Sequence, residues 1–145
     1  MPQIAWVLFT ILSVISALHL YWAFGGIWPG RDEKSLAQTV IGANNITRMP
    51  PVWLTALVAI LIFCAGLIPL MWSAVVPYSI PQGMVWIAMW VLAFIFLGRG
   101  IAGYLPFFRN PNNQQPFADL DMKYFSPLCI AIGTGYLGLI YLARI

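Results

Sequence analysis

Four apolar stretches, each about as long as a bilayer's hydrocarbon core is thick, leave this chain few ways to fold. At 1.5 Å of rise per residue, crossing ~30 Å takes about 20 helical residues. The first stretch runs from about Ile4 to Phe24 without a Lys, Arg, Asp or Glu, and Gly25, Gly26 and Pro29 end it. The second opens at Pro50-Pro51 and covers 51–72, with Pro69 expected to kink or loosen its last turn. The third covers 84–105, stops before Pro106 and contains Arg99. The fourth covers 127–143, with Ser126 read as its N-cap and Pro127 as its first helical residue.

A chain of 145 residues would ordinarily make one soluble domain, but only 8% of these residues are charged and 61% are hydrophobic. Soluble domains carry about 25% charged residues. Mean hydropathy is +0.86. Such a chain cannot enter water without exposing large apolar patches. The fold class that follows is all-α: a polytopic membrane protein, one four-transmembrane-helix bundle over residues 1–145.

The totals also exclude functions. Net charge is +3, but the basic residues form no run, so nucleic acid is not an expected partner. One histidine, His19, rules out metal sites that need paired imidazoles from one chain, and no metal site is read here. The sequence names no cofactor. Cys64 and Cys129 should differ by ~12 Å in depth, beyond the reach of a disulfide. No Lys or Arg precedes Arg31, so the start of the chain reads as a retained span rather than a secretory signal.

The connections at 25–50 and 106–126 carry Arg31, Lys34, Arg48, Arg109 and Lys123, whereas Arg144 alone lies on the opposite side. This bias places both polar loops in the cytoplasm and both termini outside. Within the first loop, Asp32 followed by Leu36, Val40 and Ile41 and stopped at Gly42 predicts a short amphipathic helix. Small residues on the last helix (Ala131, Gly135, Gly138) and the third (Gly98, Ala102, Gly103) suit close helix packing, and leave a homo-oligomer open.

Chemistry is expected where polar groups enter the apolar layer. His19 and Arg99 each lie a few residues, or ~7 Å, inside the loop-side end of their spans. Intramembrane ionisable groups are costly unless partnered, so the two are read as lining one polar pocket. Read singly, each has a plainer role: Arg99 snorkelling to the headgroups, His19 bonding Ser16 one turn earlier or a neighbouring helix. All four carboxylates, Asp32, Glu33, Asp119 and Asp121, lie in the polar loops. Asp119 and Asp121, just before the fourth helix, are candidate partners for Arg99, the alternative being that both are solvated and favour the positive end of that helix.

His19, Tyr21, Trp22, Gly25, Gly26, Trp28 and Pro29 form a His-x-Tyr-Trp-x-x-Gly-Gly-x-Trp-Pro signature, followed downstream by Arg99, Gly103, Asp121, Tyr124, Pro127, Leu128 and Cys129. The pattern resembles a family of small bacterial integral membrane proteins known only as a domain of unknown function, number 3995. That resemblance implies a bacterial four-helix protein, hence a multi-pass protein of the cytoplasmic (inner) membrane, and brings no activity with it. More distantly, the aromatic-rich four-helix plan is similar to that of the sterol-isomerase and sigma-2-receptor superfamily. This is a fold-level analogy without matched motifs, which implies a lipid-like ligand between helices. No carboxylate lies inside a span here, so acid–base isomerisation is not carried over.

The leading expectation is a pocket for a small lipid-like or quinone-like molecule near the cytoplasmic leaflet. Tyr21, Trp22, Trp28 and Tyr104 would cage its apolar body and His19 and Arg99 would bond its polar head. Were the pocket catalytic, His19 would act as general acid or base, relayed through Tyr124 or Asp121. The alternatives are a small-solute transporter subunit, which a chain with a single histidine and no membrane carboxylate serves poorly, and a non-enzymatic scaffold beside another membrane complex.

Overall fold

A computed structural model describes residues 2–143; Arg144, the one basic residue set against the loop-side bias, lies outside them. Every regular element in this range is helical: α1 (Pro2–Ala23), α2 (Glu33–Val40), α3 (Val52–Trp72), α4 (Gln82–Ala102), α5 (Pro106–Arg109), α6 (Phe117–Leu120), a π-helical turn (Asp121–Phe125) and α7 (Ser126–Leu142). Four helical stretches, with α6, the π turn and α7 running together as the last, are long and apolar enough to cross a membrane. The composition is thereby explained, since apolar side chains such as Val14, Ile60, Leu61, Phe94 and Ile95 stay exposed on the bundle surface.

The helices associate chiefly as two pairs, α1 with α3 and α4 with α7. Leu8, Leu12, Leu70, Met89, Ala93, Ile132, Tyr136 and Leu139 form the core between the pairs. Polar bonds hold them where apolar packing alone gives no preference over lipid. Ser16 donates its hydroxyl to the Ala59 carbonyl at 2.7 Å, joining α1 to α3. Tyr136, fully buried, reaches the Ala65 carbonyl at 2.8 Å, and Trp72 Nε1 donates to the Leu139 carbonyl at 3.1 Å, so α7 is bonded to α3 at two levels.

The two polar connections meet at one end of the bundle. Asn44 receives the Asn113 amide on Oδ1 and donates Nδ2 to the Asn110 carbonyl, and the Gln114 amide bonds the Gly42 carbonyl. Asp32 caps α2: its side chain takes the Ser35 amide at 2.7 Å while the Ser35 hydroxyl takes the Asp32 amide at 3.0 Å. Gly42 stops the helix at φ +71°, and a Cβ there would enter the Phe117 ring.

Entry into the last span differs from the sequence expectation. Ser126 caps nothing, because the chain arrives already helical through the π turn. Pro127 has no N–H for the Lys123 carbonyl and its ring would crowd that oxygen, and the wider turn relieves both problems. The Ser126 amide then bonds the Asp121 carbonyl, five residues back. This frees the Met122 carbonyl, and the Tyr104 hydroxyl bonds it at 3.0 Å. Cys129 consequently lies inside a continuous helix, away from any free helix-start amides.

Candidate functional site

The signature at the end of α1 folds into a tight, internally bonded turn. Trp22 Nε1 donates to the Trp28 carbonyl at 2.8 Å, and the Trp28 amide faces the Tyr21 hydroxyl at 3.4 Å. The Gly26 amide returns to the Tyr21 carbonyl at 2.9 Å, and Tyr21 lies so close over Gly26 that any Cβ there would enter its ring. Sequence spacing therefore acts locally: three aromatics and two glycines cross-brace the reversal from α1 into the loop.

His19 stands one turn before this brace. Its Nδ1 lies 2.8 Å from the Ile15 carbonyl, and its ring centroid is 5.0 Å from that of Trp22. A carbonyl oxygen only accepts, so Nδ1 carries the proton and a neutral ring offers Nε2 as an acceptor. His19 lines a cavity of about 220 Å³ with Trp22, Val40, Met49, Leu54 and Val58. A second cavity of about 480 Å³ adjoins it, walled by Trp22, Phe24, Ile27, Glu33, Met49 and Val52. Trp22, Met49 and Pro50 line both cavities, which together form a groove between the loop-side ends of α1 and α3, roofed by α2.

Arg99 belongs to the other helix pair. Its guanidinium donates to Asp121 Oδ1 at 2.5 Å and to Ser126 Oγ at 3.4 Å, and it stacks 4.6 Å from the Phe108 ring centroid. The Ser126 hydroxyl in turn donates a hydrogen bond to Asp121 Oδ2 at 3.1 Å. Asp121 and Ser126 are buried and Arg99 is one-third exposed. Gly103 leaves room for this cluster, since a Cβ there would overlap the Ser126 hydroxyl.

The candidate residues thus separate into two groups. His19, Tyr21, Trp22 and Trp28 surround the end of α1, whereas Arg99, Asp121 and Tyr104 knit α4 to the π turn and Tyr124 projects exposed from that turn. Neither cavity beside Trp22 is lined by Arg99, Tyr104, Asp121 or Tyr124. Each ionisable group has found its partner within its own helix pair: His19 on its own helix, Arg99 on the carboxylate across from it.

A family model described as a protein of unknown function (DUF3995) matches residues 12–136, from the middle of α1 to α7. The chain belongs to this family. No curated protein and no solved structure matches it. The matched range spans both the aromatic brace and the Arg99–Asp121 cluster.

Sequence reasoning did not single out several groove residues. Glu33 accepts the Met49 amide at 3.0 Å, tying α2 to the start of α3, and Met49, Leu54 and Val58 supply much of the apolar wall. The only sequence signal was the Asp32 cap, which puts Glu33 in the first turn of α2. Nothing in Met49 or Leu54 distinguishes them from other apolar residues.

Proposed function

We propose that the groove between α1, α2 and α3 binds a small lipid-like molecule at the loop-side membrane surface, in the cytoplasmic leaflet if the charge bias sets the orientation. The observation that carries this reading is the pair of adjoining cavities with Trp22 as common wall and His19 at the deeper end. The larger, at about 480 Å³, falls in the usual range for ligand pockets, which are apolar with a few placed polar groups. With Nδ1 held by the Ile15 carbonyl, the Nε2 of a neutral His19 accepts a hydrogen bond. That favours a hydroxyl-bearing ligand, such as a quinol or an amphipathic alcohol, over a quinone carbonyl, which itself only accepts.

The test is photocrosslinking of a diazirine-bearing long-chain alcohol to the full chain in dodecyl maltoside micelles, with labelled residues located by mass spectrometry. Labelling should fall on residues lining the groove and drop about five-fold or more in His19→Ala, in keeping with one lost hydrogen bond of about 1 kcal/mol. A labelling pattern indifferent to His19, in a variant that stays folded, would remove it from the site.

A further inference from the structure

Building on the proposed groove, we infer that its outer cavity receives a positively charged head, a quaternary ammonium or protonated amine on an apolar chain. The cavity of about 480 Å³ has one ionisable side chain in its lining, the carboxylate of Glu33, among Trp22, Phe24, Ile27, Met49 and Val52. Arg31, Lys34 and Arg48 carry the positive charge of the same loop, yet none of them lines the cavity. Among the described residues the ion pair is Arg99–Asp121, so Glu33 has no basic partner within 4.0 Å. Its carboxylate is oriented by the Met49 amide on Oε1, and Oε2 receives no hydrogen bond from the described residues.

A carboxylate oriented by the Met49 amide, in a cavity that Trp22 and Phe24 also line, is the chemistry that recognises an organic cation. The ring faces attract the cation through their quadrupoles, the carboxylate attracts it by charge, and apolar walls accept the methyl groups and chain. An anionic head would meet the carboxylate without a compensating cation in the lining. A strongly hydrated metal ion would find a single carboxylate among the lining side chains, short of its usual coordination. From the Glu33 rim, a chain passing Trp22 would enter the deeper cavity, where a hydroxyl carried on it would meet His19 Nε2.

The test compares two photoreactive probes with the same diazirine-bearing dodecyl chain, one ending in trimethylammonium and the other in its neutral isostere, tert-butyl. The full chain is labelled in dodecyl maltoside micelles, and the labelled residues are mapped. The wild type should take the charged probe in the outer cavity roughly five-fold more than the neutral one, as expected for one partly exposed cation site. Glu33→Gln keeps an oxygen for the Met49 amide, so it should bring the ratio of charged to neutral labelling to about one. Raising the salt should lower the wild-type ratio, a reading that needs no variant. Equal labelling of the wild type by both probes, or a preference that survives Glu33→Gln, overturns the charge assignment and leaves the groove standing. Absence of groove labelling by both probes overturns this inference, whereas absence of labelling by the long-chain alcohol overturns the binding reading beneath it.

Discussion

Asp121 Oδ1 lies 2.5 Å from the Arg99 guanidinium, joining a residue of the π turn to the last turn of α4, and the two partners differ sharply in exposure. Asp121 is 2% exposed, whereas the Arg99 side chain is 32% exposed. Removing either partner therefore leaves an unequal remainder. Arg99→Met strands a buried carboxylate and should cost about 3–5 kcal/mol. Asp121→Asn leaves an arginine that can turn toward water or headgroups and should cost less, about 1–3 kcal/mol. Reversible unfolding in mixed micelles measures both, and a reversed order would contradict the assignment of the carboxylate as the buried member.

Gly103 should tolerate no side chain. A Cβ there overlaps the Ser126 hydroxyl and lies 2.7 Å from Asp121 Oδ2, both fixed by the ion pair. Gly103→Ala is expected to cost about 1–3 kcal/mol through overpacking. Gly98→Ala and Gly138→Ala meet open space and should not destabilise the fold. Parallel thermal scans of the three variants check this, and equal melting temperatures would refute it.

Tyr104 and Pro127 should be coupled through the Met122 carbonyl. The Tyr104 hydroxyl bonds a Met122 carbonyl that is free because the π turn sends the Ser126 amide to Asp121. Tyr104→Phe should cost about 1 kcal/mol in the natural chain. With Pro127→Ala the turn can relax to α-helix, the Ser126 amide returns to Met122, and the same substitution should cost much less. A double-mutant cycle measures the difference, and strict additivity would show that the carbonyl does not depend on the proline.

Acid should loosen α2 before the spans. Amide and hydroxyl bonds from Ser35, the amide first, hold the Asp32 carboxyl below the ordinary aspartate range. Because the folded value is the lower one, the stabilisation is fully present above the unfolded value of about 4 and lost as pH falls through the folded value. Hydrogen-exchange protection of the α2 amides should decline over that acid window, while amides of α3 and α7 keep theirs. In Asp32→Ala, α2 protection should be lower at neutral pH and no longer change through this transition.

The expected meeting of His19 and Arg99 shows where sequence reading stopped. Counting residues from a span's end gives depth, because helical rise is fixed, and both groups lie near the loop-side ends of their helices. It does not give the direction a side chain faces, which depends on which helix lies beside it. Since α1 pairs with α3 and α4 with α7, His19 looks into the groove beneath α2 while Arg99 is taken by Asp121. The Arg99–Asp121 pair itself was foreseeable, because a guanidinium inside a span needs a counter-charge and few carboxylates are near. The turn at Ser126-Pro127 was not, because the same dipeptide that opens a helix also suits a π turn when the preceding residues are already helical.

Sequence alone determined the number of apolar helices long enough to span, the polar end of the bundle and the capped helix in the first loop. Those follow from local rules: a bilayer demands about 20 apolar residues per crossing, and an Asp before an amphipathic run starts a helix. Tertiary structure alone decided which helices pair and which polar groups share a space. Lipid is as apolar as leucine, so hydrophobicity cannot choose a helix's neighbours, and side-chain fit and a few buried hydrogen bonds make that choice.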